Sequence, residues 1–337
     1  MKRSFPAVLL LITVSAAARD AEDALALIRT PHNGFPAVIL PGGTFDAVLS
    51  EKAELRLVDG DKGVALAVTG QPLLGGKWQA ECTVPLDVPP GSYVLEARTD
   101  TKQDRTVRAV FVRDKFAEYY VLAHVTDTHV GSNRNAQASE DIFRNVIKAV
   151  NTSQAALVLV TGDVTDGGEI EQFRAFINIL DTCTLPTFVC AGNHDRQALN
   201  YERFFEPDTY LFRFAQDGYI SFDTKDSVVA DELGPQNADL EVFRRAIKPC
   251  RWSIGLSHRY EPDMGMRSQL TLFVDDPLDY FIFGHWHRAN REDEKKVPWG
   301  TTPIVVTPAA INGAIRLIDV SPLGIRPRTP QYVADVD

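Results

Sequence analysis

The chain has 337 residues, of which 45% are hydrophobic and 24% are charged, a composition typical of a folded globular protein and not of a disordered chain. This length is too great for one small domain and suits two. The formal net charge of -10 argues against a nucleic-acid-binding surface, because binding to a phosphate backbone depends on clustered lysine and arginine.

The N-terminal segment has the pattern of a signal peptide. Lys2 and Arg3 give a positive start, residues 8–14 are mainly apolar, and the small residues 16–18 suit a cleavage site. The apolar stretch is too short to span a bilayer, and no later segment reaches transmembrane length. We expect residues 1–18 to be removed and the protein to be exported to the periplasm or the extracellular space. A buried N-terminal helix is the alternative.

The four cysteines are Cys82, Cys183, Cys190 and Cys250. Export to an oxidising compartment would permit a disulfide, but the sequence does not indicate which residues would pair. Cys190 lies in the apolar run 187–191, so a small core residue is at least as good an interpretation for it.

Residues 25–113 are predicted to contain strands and no helix. Short runs rich in valine, leucine and aromatic residues are separated by turn formers such as Pro41-Gly42-Gly43. The predicted strands are 37–40, 53–58, 65–68, 78–84, 91–98 and 106–112. This pattern predicts a small all-β sandwich domain, of the immunoglobulin-like kind. No catalytic constellation occurs here, which favours a spacer or packing module over a carbohydrate- or protein-binding role.

In residues 117–325 strands alternate with helices. The predicted strands are 119–125, 156–161, 187–191, 252–256, 280–283, 303–306 and 314–320. Helical spacing of apolar residues predicts helices over 136–151, 169–180 and 237–248. Alternation of this kind predicts parallel crossover units, and therefore an α/β domain with its sheet covered on both faces. The connections 197–235 and 259–278 are predicted to be loops that shape a pocket.

Five of these apolar strands are each followed by a turn that carries Asp, Asn or His. The turns are Thr126-Asp127-Thr128-His129, Gly162-Asp163-Val164-Thr165-Asp166, Gly192-Asn193-His194-Asp195, Ser257-His258 and Gly284-His285-Trp286-His287. Because ligands bind beyond the carboxyl ends of strands in open α/β sheets, we expect these side chains to converge. Each turn alone has an ordinary explanation, such as helix capping, but five together favour one shared site. His124 lies within its strand, so we interpret it as a hydrogen-bonded core histidine.

The donor types indicate the kind of ligand that this site binds. Carboxylate, imidazole and amide-oxygen donors suit transition-metal ions such as Mn, Fe, Zn or Co. No cysteine belongs to the set, so a structural zinc site is not indicated. An aspartate can bridge two ions, and such a pair can activate water and brace the attacking and leaving oxygens.

The motifs in these five turns resemble, in order, those of the calcineurin-like metallophosphoesterases, over about residues 120–290. The resemblance implies a four-layer α/β sandwich and two divalent or mixed-valence transition-metal ions. One ion is implied to bind Asp127, His129, Asp163 and His287. The second is implied to share Asp163 and to bind Asn193, His258 and His285. The resemblance further implies that His194 is catalytic, contacts the phosphate or the leaving oxygen, and is oriented by Asp195.

Position 166 favours one branch of that family. Purple acid phosphatases carry tyrosine three residues after the bridging aspartate and lack the histidine of the first motif, whereas this chain has Asp166 and His129. The resemblance is therefore to the phosphodiesterase-like branch, which includes cyclic-nucleotide and glycerophosphodiester phosphodiesterases. It implies hydrolysis of small phosphodiesters or phosphomonoesters through a metal-activated hydroxide, assisted by His194.

Two other functions are possible for a chain with these motifs. A non-catalytic metal-binding scaffold on the same fold is opposed by the retention of every expected ligand. A nuclease is opposed by the negative charge and the predicted export. For substrate binding the candidates are Asn133, Arg134, Arg196 and Arg259-Tyr260, which follow the ligand motifs, although ordinary surface residues explain them equally well. The Asp-x-His pattern favours phosphodiesters over phosphomonoesters as substrates.

Overall fold

The computed structural model describes residues 25–223, 235–260, 270–298 and 300–333. The predicted signal peptide and parts of the two predicted pocket loops lie outside these ranges. Within them, no helix has both the length and the apolar character needed to cross a membrane.

Nine strands occupy residues 28–112. They are β1 Ile28–Thr30, β2 Ala37–Ile39, β3 Thr44–Leu49, β4 Glu54–Asp59, β5 Lys62–Ala65, β6 Ala67–Pro72, β7 Trp78–Thr83, β8 Gly91–Arg98 and β9 Gln103–Val112. One sheet has the order β1-β3-β7-β6 and the other the order β2-β9-β8-β4-β5. Inward-facing side chains of both sheets, such as Leu49, Leu57, Ala80 and Leu95, belong to one buried core. In the described part of this region, strands are joined by turns and loops, and the one helical element is a short 3-10 turn at Leu74–Gly76.

Beyond residue 119 the strands form two more sheets. Their bounds are β10 Tyr120–Val125, β11 Ala155–Thr161, β12 Thr187–Cys190, β13 Tyr210–Phe214, β14 Asp217–Ser221, β15 Ser253–Leu256, β16 Tyr280–Phe283, β17 Ile304–Val306, β18 Ala314–Ser321, β19 Gly324–Pro327 and β20 Gln331–Tyr332. The first sheet has the order β12-β11-β10-β18-β19, with β20 also paired to β18; the second has the order β13-β14-β15-β16-β17. Strands β10–β12 are parallel, as are β14–β17, so their carboxyl ends meet at one edge of each sheet.

Four helices accompany these sheets. They are α1 Ser139–Asn151, α2 Ile170–Leu180, α3 Asn200–Phe204 and α4 Pro235–Ile247. Helices α1 and α2 pack on the first sheet, where the rings of Phe143 and Phe176 stack at 4.9 Å. Helix α4 packs on the second sheet through Leu240 and Ile247, and the inner faces of the two sheets share a third core. These elements therefore stack as helix, sheet, sheet, helix, and the mixed α/β prediction is confirmed.

Several elements were not predicted. Strand β3 directly follows the turn Pro41-Gly42-Gly43, and β1 precedes that turn. The hairpin β13–β14 and helix α3 occupy part of the segment 197–235 that was expected to be a loop. A π-helical segment, Leu270–Asp275, lies within the other predicted loop.

The N-terminal strands contact the first sheet through the connection between β1 and β2. The Val189 N–H of β12 donates to the Gly34 carbonyl at 2.8 Å, which extends that sheet at its edge. Glu206 forms ion pairs with both Arg29 and Lys77. These contacts join the N-terminal strands to the edge of the first sheet and to the connection between α3 and β13.

All four cysteines are free thiols. Cys190 is buried in the core between the two inner sheet faces, which confirms its interpretation as a core residue. Burial raises the pKa of the Cys190 thiol to about 12, so the thiolate is disfavoured at neutral pH.

Candidate metal centre

The turns after β10, β11, β12, β15 and β16 meet at the carboxyl edge of the two sheets. Among the described residues, donor atoms come together in three compact groups, each within 4.8 Å. Two of them consist of expected ligands: a first group of Asp127, His129 and His287, and a second group of Asp163, His258 and His285. The third joins His129 to Asp166 and His194. This convergence is the one expected from the carboxyl ends of the strands.

In the first group, Asp127 Oδ1 is the common neighbour. It lies 3.1 Å from His287 Nε2 and 4.0 Å from His129 Nε2. The two Nε2 atoms of His129 and His287 are 3.4 Å apart. Two imidazole nitrogens and one carboxylate oxygen thus surround a single small space.

The second group is built around His258 and also reaches the first. His258 Nε2 lies 3.1 Å from Asp163 Oδ2 and 3.2 Å from His285 Nδ1. Asp163 Oδ2 is also 3.7 Å from His129 Nε2, in the first group. The Asp163 carboxylate therefore lies between the two groups, where a bridging ligand would be needed.

Hydrogen bonds orient these donors. The Nδ1–H of His258 donates to the Thr161 carbonyl at 2.8 Å, so its Nε2 faces the cluster. Asp127 uses Oδ2 to accept from the His285 N–H at 3.0 Å, and Asp163 uses Oδ1 to accept from the His194 N–H at 2.9 Å. In each aspartate the other oxygen is left for the cluster, which is how outer hydrogen bonds prepare metal ligands.

The backbone at these residues is strained. Eight non-glycine residues in the described ranges have positive φ, and five are candidate ligands: Asp127 at 56°, His129 at 43°, Asp163 at 48°, His285 at 62° and His287 at 55°. The left-handed conformation is uncommon for such residues and concentrates at functional sites. A left-handed turn aims each side chain back across the end of its strand.

Two glycines allow the turns to pack this closely. A Cβ on Gly284 would lie 1.7 Å from Thr126 Oγ1, and one on Gly192 would lie 2.1 Å from the Asp163 nitrogen. Neither clash can be relieved by a flexible chain end, because backbone or short buried side chains are involved. The glycines of the second, third and fifth motifs are therefore required by close approach or by positive φ, which Gly162 adopts at 79°.

The four most enclosed donors, Asp127, His129, Asp163 and His258, are at most 1% exposed. Burial would raise the pKa of Asp127, but the hydrogen bond with His287 and the charge of His258 lower it overall. Burial lowers the pKa of His129 to about 4, despite the nearby aspartates. For His258 the same desolvation is outweighed by Asp163, and its pKa rises to about 9. The site thus concentrates ionised carboxylates among imidazoles.

The donor set fits transition-metal ions. Asn193 Oδ1 is buried and has no hydrogen-bond partner in the described structure. A buried polar atom without a partner is costly, and a bound cation would satisfy it. Imidazole, carboxylate and amide oxygen are the donors that Mn, Fe, Co and Zn accept.

His194 stands at the mouth of the cluster, and its orientation corrects the sequence prediction. Its Nδ1–H donates to the main-chain carbonyl of Asp166 at 2.6 Å, so this carbonyl, and not Asp195, holds the imidazole. The ring meets that of His129 edge to face, with centroids 4.7 Å apart. Its other nitrogen, Nε2, is left for a substrate.

Asp195 instead fastens two ligand turns together. Its carboxylate accepts hydrogen bonds from the N–H groups of Val164, Thr165 and Gly192 at 3.2, 2.9 and 2.8 Å. In the short 3-10 turn Asn193–Asp195, the Asp195 side chain folds back to the Gly192 N–H at the start of the turn and not towards the His194 ring. Burial and the charge of Asp163 raise the pKa of Asp195 to about 6.

Asp166 is a site residue whose role the sequence did not reveal. One of its carboxylate oxygens lies 3.2 Å from His129 Nδ1 and 3.0 Å from Arg134 Nη2. Asp166 therefore contacts both histidines: its carboxylate lies beside His129, and its carbonyl accepts the hydrogen bond from His194. In the sequence, the spacing of Asp166 from Asp163 distinguished two branches of the family. The same spacing was the one signal that Asp166 lies near the site.

The candidates for substrate binding differ in whether their side chains are already engaged by other residues. Arg196 is mostly buried and forms ion pairs with Asp223 and Glu202, and Tyr260 packs on Phe273 in the core beside α4. Both side chains are therefore engaged by contacts within the protein. Arg134 is half-exposed but paired with Asp166.

Arg259 differs from those residues. It directly follows His258, and its charge helps to lower the pKa of His285, where burial is the main cause. Its Nη2 is buried without a hydrogen-bond partner in the described structure. Arg259 therefore has a donor available for a ligand.

The family model for calcineurin-like phosphoesterases matches residues 120–289, half of the chain. The chain belongs to this family, as its motifs predicted. The enzyme class expected from the motifs, a metal-dependent phosphoric ester hydrolase, is the class of this family.

Individual relatives match shorter regions. A probable glycerophosphodiester phosphodiesterase from Arcobacter nitrofigilis is 35% identical over 92 residues, which cover 26% of this chain and 33% of that protein. A probable cyclic nucleotide phosphodiesterase from Coxiella burnetii is 30% identical over 109 residues, which cover 31% of this chain and 42% of that protein. The matched region thus spans less than half the length of these curated relatives.

A solved structure resembles the chain over a greater length. A purple acid phosphatase from yellow lupin seeds superposes with a TM-score of 0.55 at 12% identity, covering 87% of this chain and 70% of that one. At this identity the likeness concerns the fold alone.

Proposed function

We propose that this protein is an exported phosphodiesterase that uses two transition-metal ions bound at the clustered strand ends. The observation that carries the proposal is the division of the donors into two groups, with the Asp163 carboxylate within reach of both. The Asp-x-His pattern and the names of the curated relatives favour phosphodiesters over phosphomonoesters.

The donor groups suggest which residues would hold each ion. One ion would be bound by Asp127, His129, Asp163 and His287. The other would be bound by Asp163, Asn193, His258 and His285. When bound, Mn, Fe, Zn or Co would supply the positive charge and the activated water on which ester hydrolysis depends.

His194 is proposed as the catalytic residue outside the metal ligands. Because its Nδ1–H is held by the Asp166 carbonyl, Nε2 is the nitrogen that can meet a phosphoryl or leaving oxygen. A protonated Nε2 would donate there as negative charge develops. Asp195 is proposed to act indirectly, by holding the turns that carry Asp163 and Asn193 in register.

A substrate panel tests this proposal. Protein reconstituted with Mn would be assayed against chromogenic phosphodiesters, phosphomonoesters and cyclic nucleotides. We expect turnover of at least one phosphodiester that disappears on chelation and returns with Mn. Two bound metals without turnover of any ester would instead support the scaffold function.

Two further proposals concern the N-terminal part. We propose that the protein is exported through cleavage after residue 18, which N-terminal sequencing of protein from the periplasm or medium would test. We also propose that residues 25–113 are an immunoglobulin-like sandwich domain, supported by the two sheets and their common core. Limited proteolysis should then cut first between residues 113 and 119.

A further inference from the structure

A cavity of about 680 Å³ lies in the N-terminal two-sheet region, apart from the metal centre. Its lining residues belong to β4, β5, β6, β7 and β8, to the connection that precedes β4 and to the junction between β5 and β6. This volume lies within the range of small-molecule binding sites. The family match begins only at residue 120 and assigns nothing to this region.

One wall of the cavity is apolar. It is formed by Leu55, Leu66, Val68 and the indole of Trp78. The indole lies against β6 at Gly70, where a Cβ would stand 2.3 Å from Trp78 Nε1. Because Gly70 has no side chain, the indole can pack directly against β6. Val68, also in this wall, is 36% exposed.

The other wall carries guanidinium groups fixed by a buried carboxylate. Glu96 is 2% exposed and lies 2.6 Å from Arg56 Nε and 3.1 Å from Arg98 Nε. Burial alone would raise the pKa of Glu96, but the hydrogen bond from Arg56 and the charges of Arg56, Arg98 and Arg105 lower it. Glu96 is therefore ionised, and it holds the Nε sides of Arg56 and Arg98, whose side chains remain 42% and 52% exposed. Arg98 Nη2 also donates to Gln103 Oε1 at 3.3 Å at the surface.

The charge balance of the lining favours an anion. Three cationic side chains, Lys52, Arg56 and Arg98, line the cavity with two acidic ones, Glu54 and Glu96. The carboxylate of Glu96 is already engaged by the arginines, so excess positive charge faces the cavity. This local excess occurs in a chain whose formal net charge is -10.

The placement of Trp78 argues against a neutral sugar. Sugars bind to an open aromatic face, but Lys52 Nζ stands 5.6 Å from the centroid of this ring, and Gly70 is packed against the indole nitrogen. The ring therefore contributes apolar area beside a cation. A ligand that matches both walls needs an apolar body and a negative group.

We propose that this cavity binds an amphipathic anion, that is, an apolar body joined to one phosphate, carboxylate or sulfonate group. The negative group lies between Arg98 and Lys52, and the apolar body covers Leu66, Val68 and Trp78. The proposal is independent of the reaction at the metal centre.

Titration calorimetry with 1-octanesulfonate tests the proposal on the full-length protein. The titration is repeated after chelation of bound metal, so that any binding at the metal centre is recognised by its loss. We expect one site per chain, with quenching of tryptophan fluorescence. Octyl phosphate and octanoate, titrated in the same way, identify which anionic group is preferred.

Two variants and one control assign the site. Arg98→Gln is expected to weaken octanesulfonate binding about tenfold, and Val68→Asp, at an exposed position, should abolish it. Arg105→Gln is the matched control, because Arg105 also contacts Glu96, at 3.6 Å, but does not line the cavity. Turnover at the metal centre reports that each variant is folded.

Three results would overturn the proposal. The first is no binding of any of the three anions. The second is equally tight binding of the neutral octyl glucoside, which would leave the cations without a role. The third is equal weakening by Arg98→Gln and Arg105→Gln, which would indicate general charge screening and not a site.

Discussion

The two regions of the molecule end their strands in different ways. In residues 28–112 positive φ values occur mainly at glycines such as Gly42, Gly60 and Gly75, and among the described residues only Arg108 adds a non-glycine example. Beyond residue 119 there are seven non-glycine examples, and five of them are candidate metal ligands. Positive φ values therefore occur mainly at glycines in the N-terminal region and mainly at candidate metal ligands among the non-glycine residues of the second region.

The distribution of non-glycine residues with positive φ indicates the position of the candidate site from the backbone alone. A non-glycine residue held in the left-handed region costs on the order of 1–3 kcal/mol, so such residues persist where the surrounding structure enforces them. Glycine would remove the strain but also the ligand. The strained turns of the second region are thus consistent with a site whose donors are positioned before any ion binds.

The largest effect is expected from Asp163→Asn, which tests the strained region at its centre. The amide carries no charge and offers one oxygen, so the two donor groups lose their common ligand. We expect turnover of a chromogenic phosphodiester to fall by about a thousandfold or more, with loss of metal. Asp217→Asn is the control, since Asp217 is equally buried but pairs with Arg251 at 2.6 Å away from the donor groups. Normal turnover in Asp163→Asn would contradict the account.

His194→Ala is expected to slow the same reaction by about a hundredfold or more while both metals stay bound. The imidazole is held from outside the donor groups by the Asp166 carbonyl, so its removal leaves the ligands in place. Steady-state kinetics and metal analysis of one preparation measure both quantities. Near-normal turnover at native metal content would remove His194 from the mechanism.

Two glycine substitutions compare the regions directly. Gly284→Ala places a Cβ 1.7 Å from Thr126 Oγ1, and we expect a loss of about 1–3 kcal/mol in the free energy of unfolding. Gly75→Ala has no atom within 4 Å and only its φ of 80° to oppose it, at a cost of roughly 1 kcal/mol. Urea unfolding of both variants measures the difference. Equal losses would mean that the ligand turns are no more tightly packed than an ordinary turn.

Arg259→Gln should raise the KM for a phosphodiester about tenfold with little change in kcat, because the buried Nη2 is available to a bound anion. Arg288→Gln is the control, since Arg288 follows the last ligand but is engaged by Glu294 at 2.6 Å. If both variants have the wild-type KM, Arg259 does not contact the substrate.

The smallest effect concerns His124 in β10. Its ring nitrogens contact Thr307 at 2.6 Å and Thr161 at 2.7 Å, and burial, with a smaller contribution from Arg316, lowers its pKa to about 3. The unfolded chain binds a proton near pH 6.5 and the folded chain does not, so stability falls as the pH drops from 7 towards 4. The slope from this group is at most about 1.4 kcal/mol per pH unit. Urea unfolding at pH 7 and 5 should show a weaker pH dependence in His124→Asn than in the wild type.

The strands and turns that carry the donors were predictable because they are continuous apolar runs that end in polar residues. The hairpin β13–β14 was not, because its turn contains Ala215 at a φ of 55° where a glycine would have signalled it. The direction of a side chain within a tight turn is also unreadable from sequence, which is why Asp195 was assigned to His194 and why Asp166 was overlooked. The cavity beside Trp78 depends on packing between two sheets, which no local pattern encodes.

The most direct test of the central claim is a count of metal ions per chain in the wild type and in two variants, one from each donor group. Metal-free protein would be titrated with Mn, and bound metal measured by mass spectrometry after removal of excess ions. The account predicts two ions in the wild type and one each in His287→Ala and His285→Ala. A single ion in the wild type, or the loss of both ions in either variant, would contradict the division into two groups joined by Asp163.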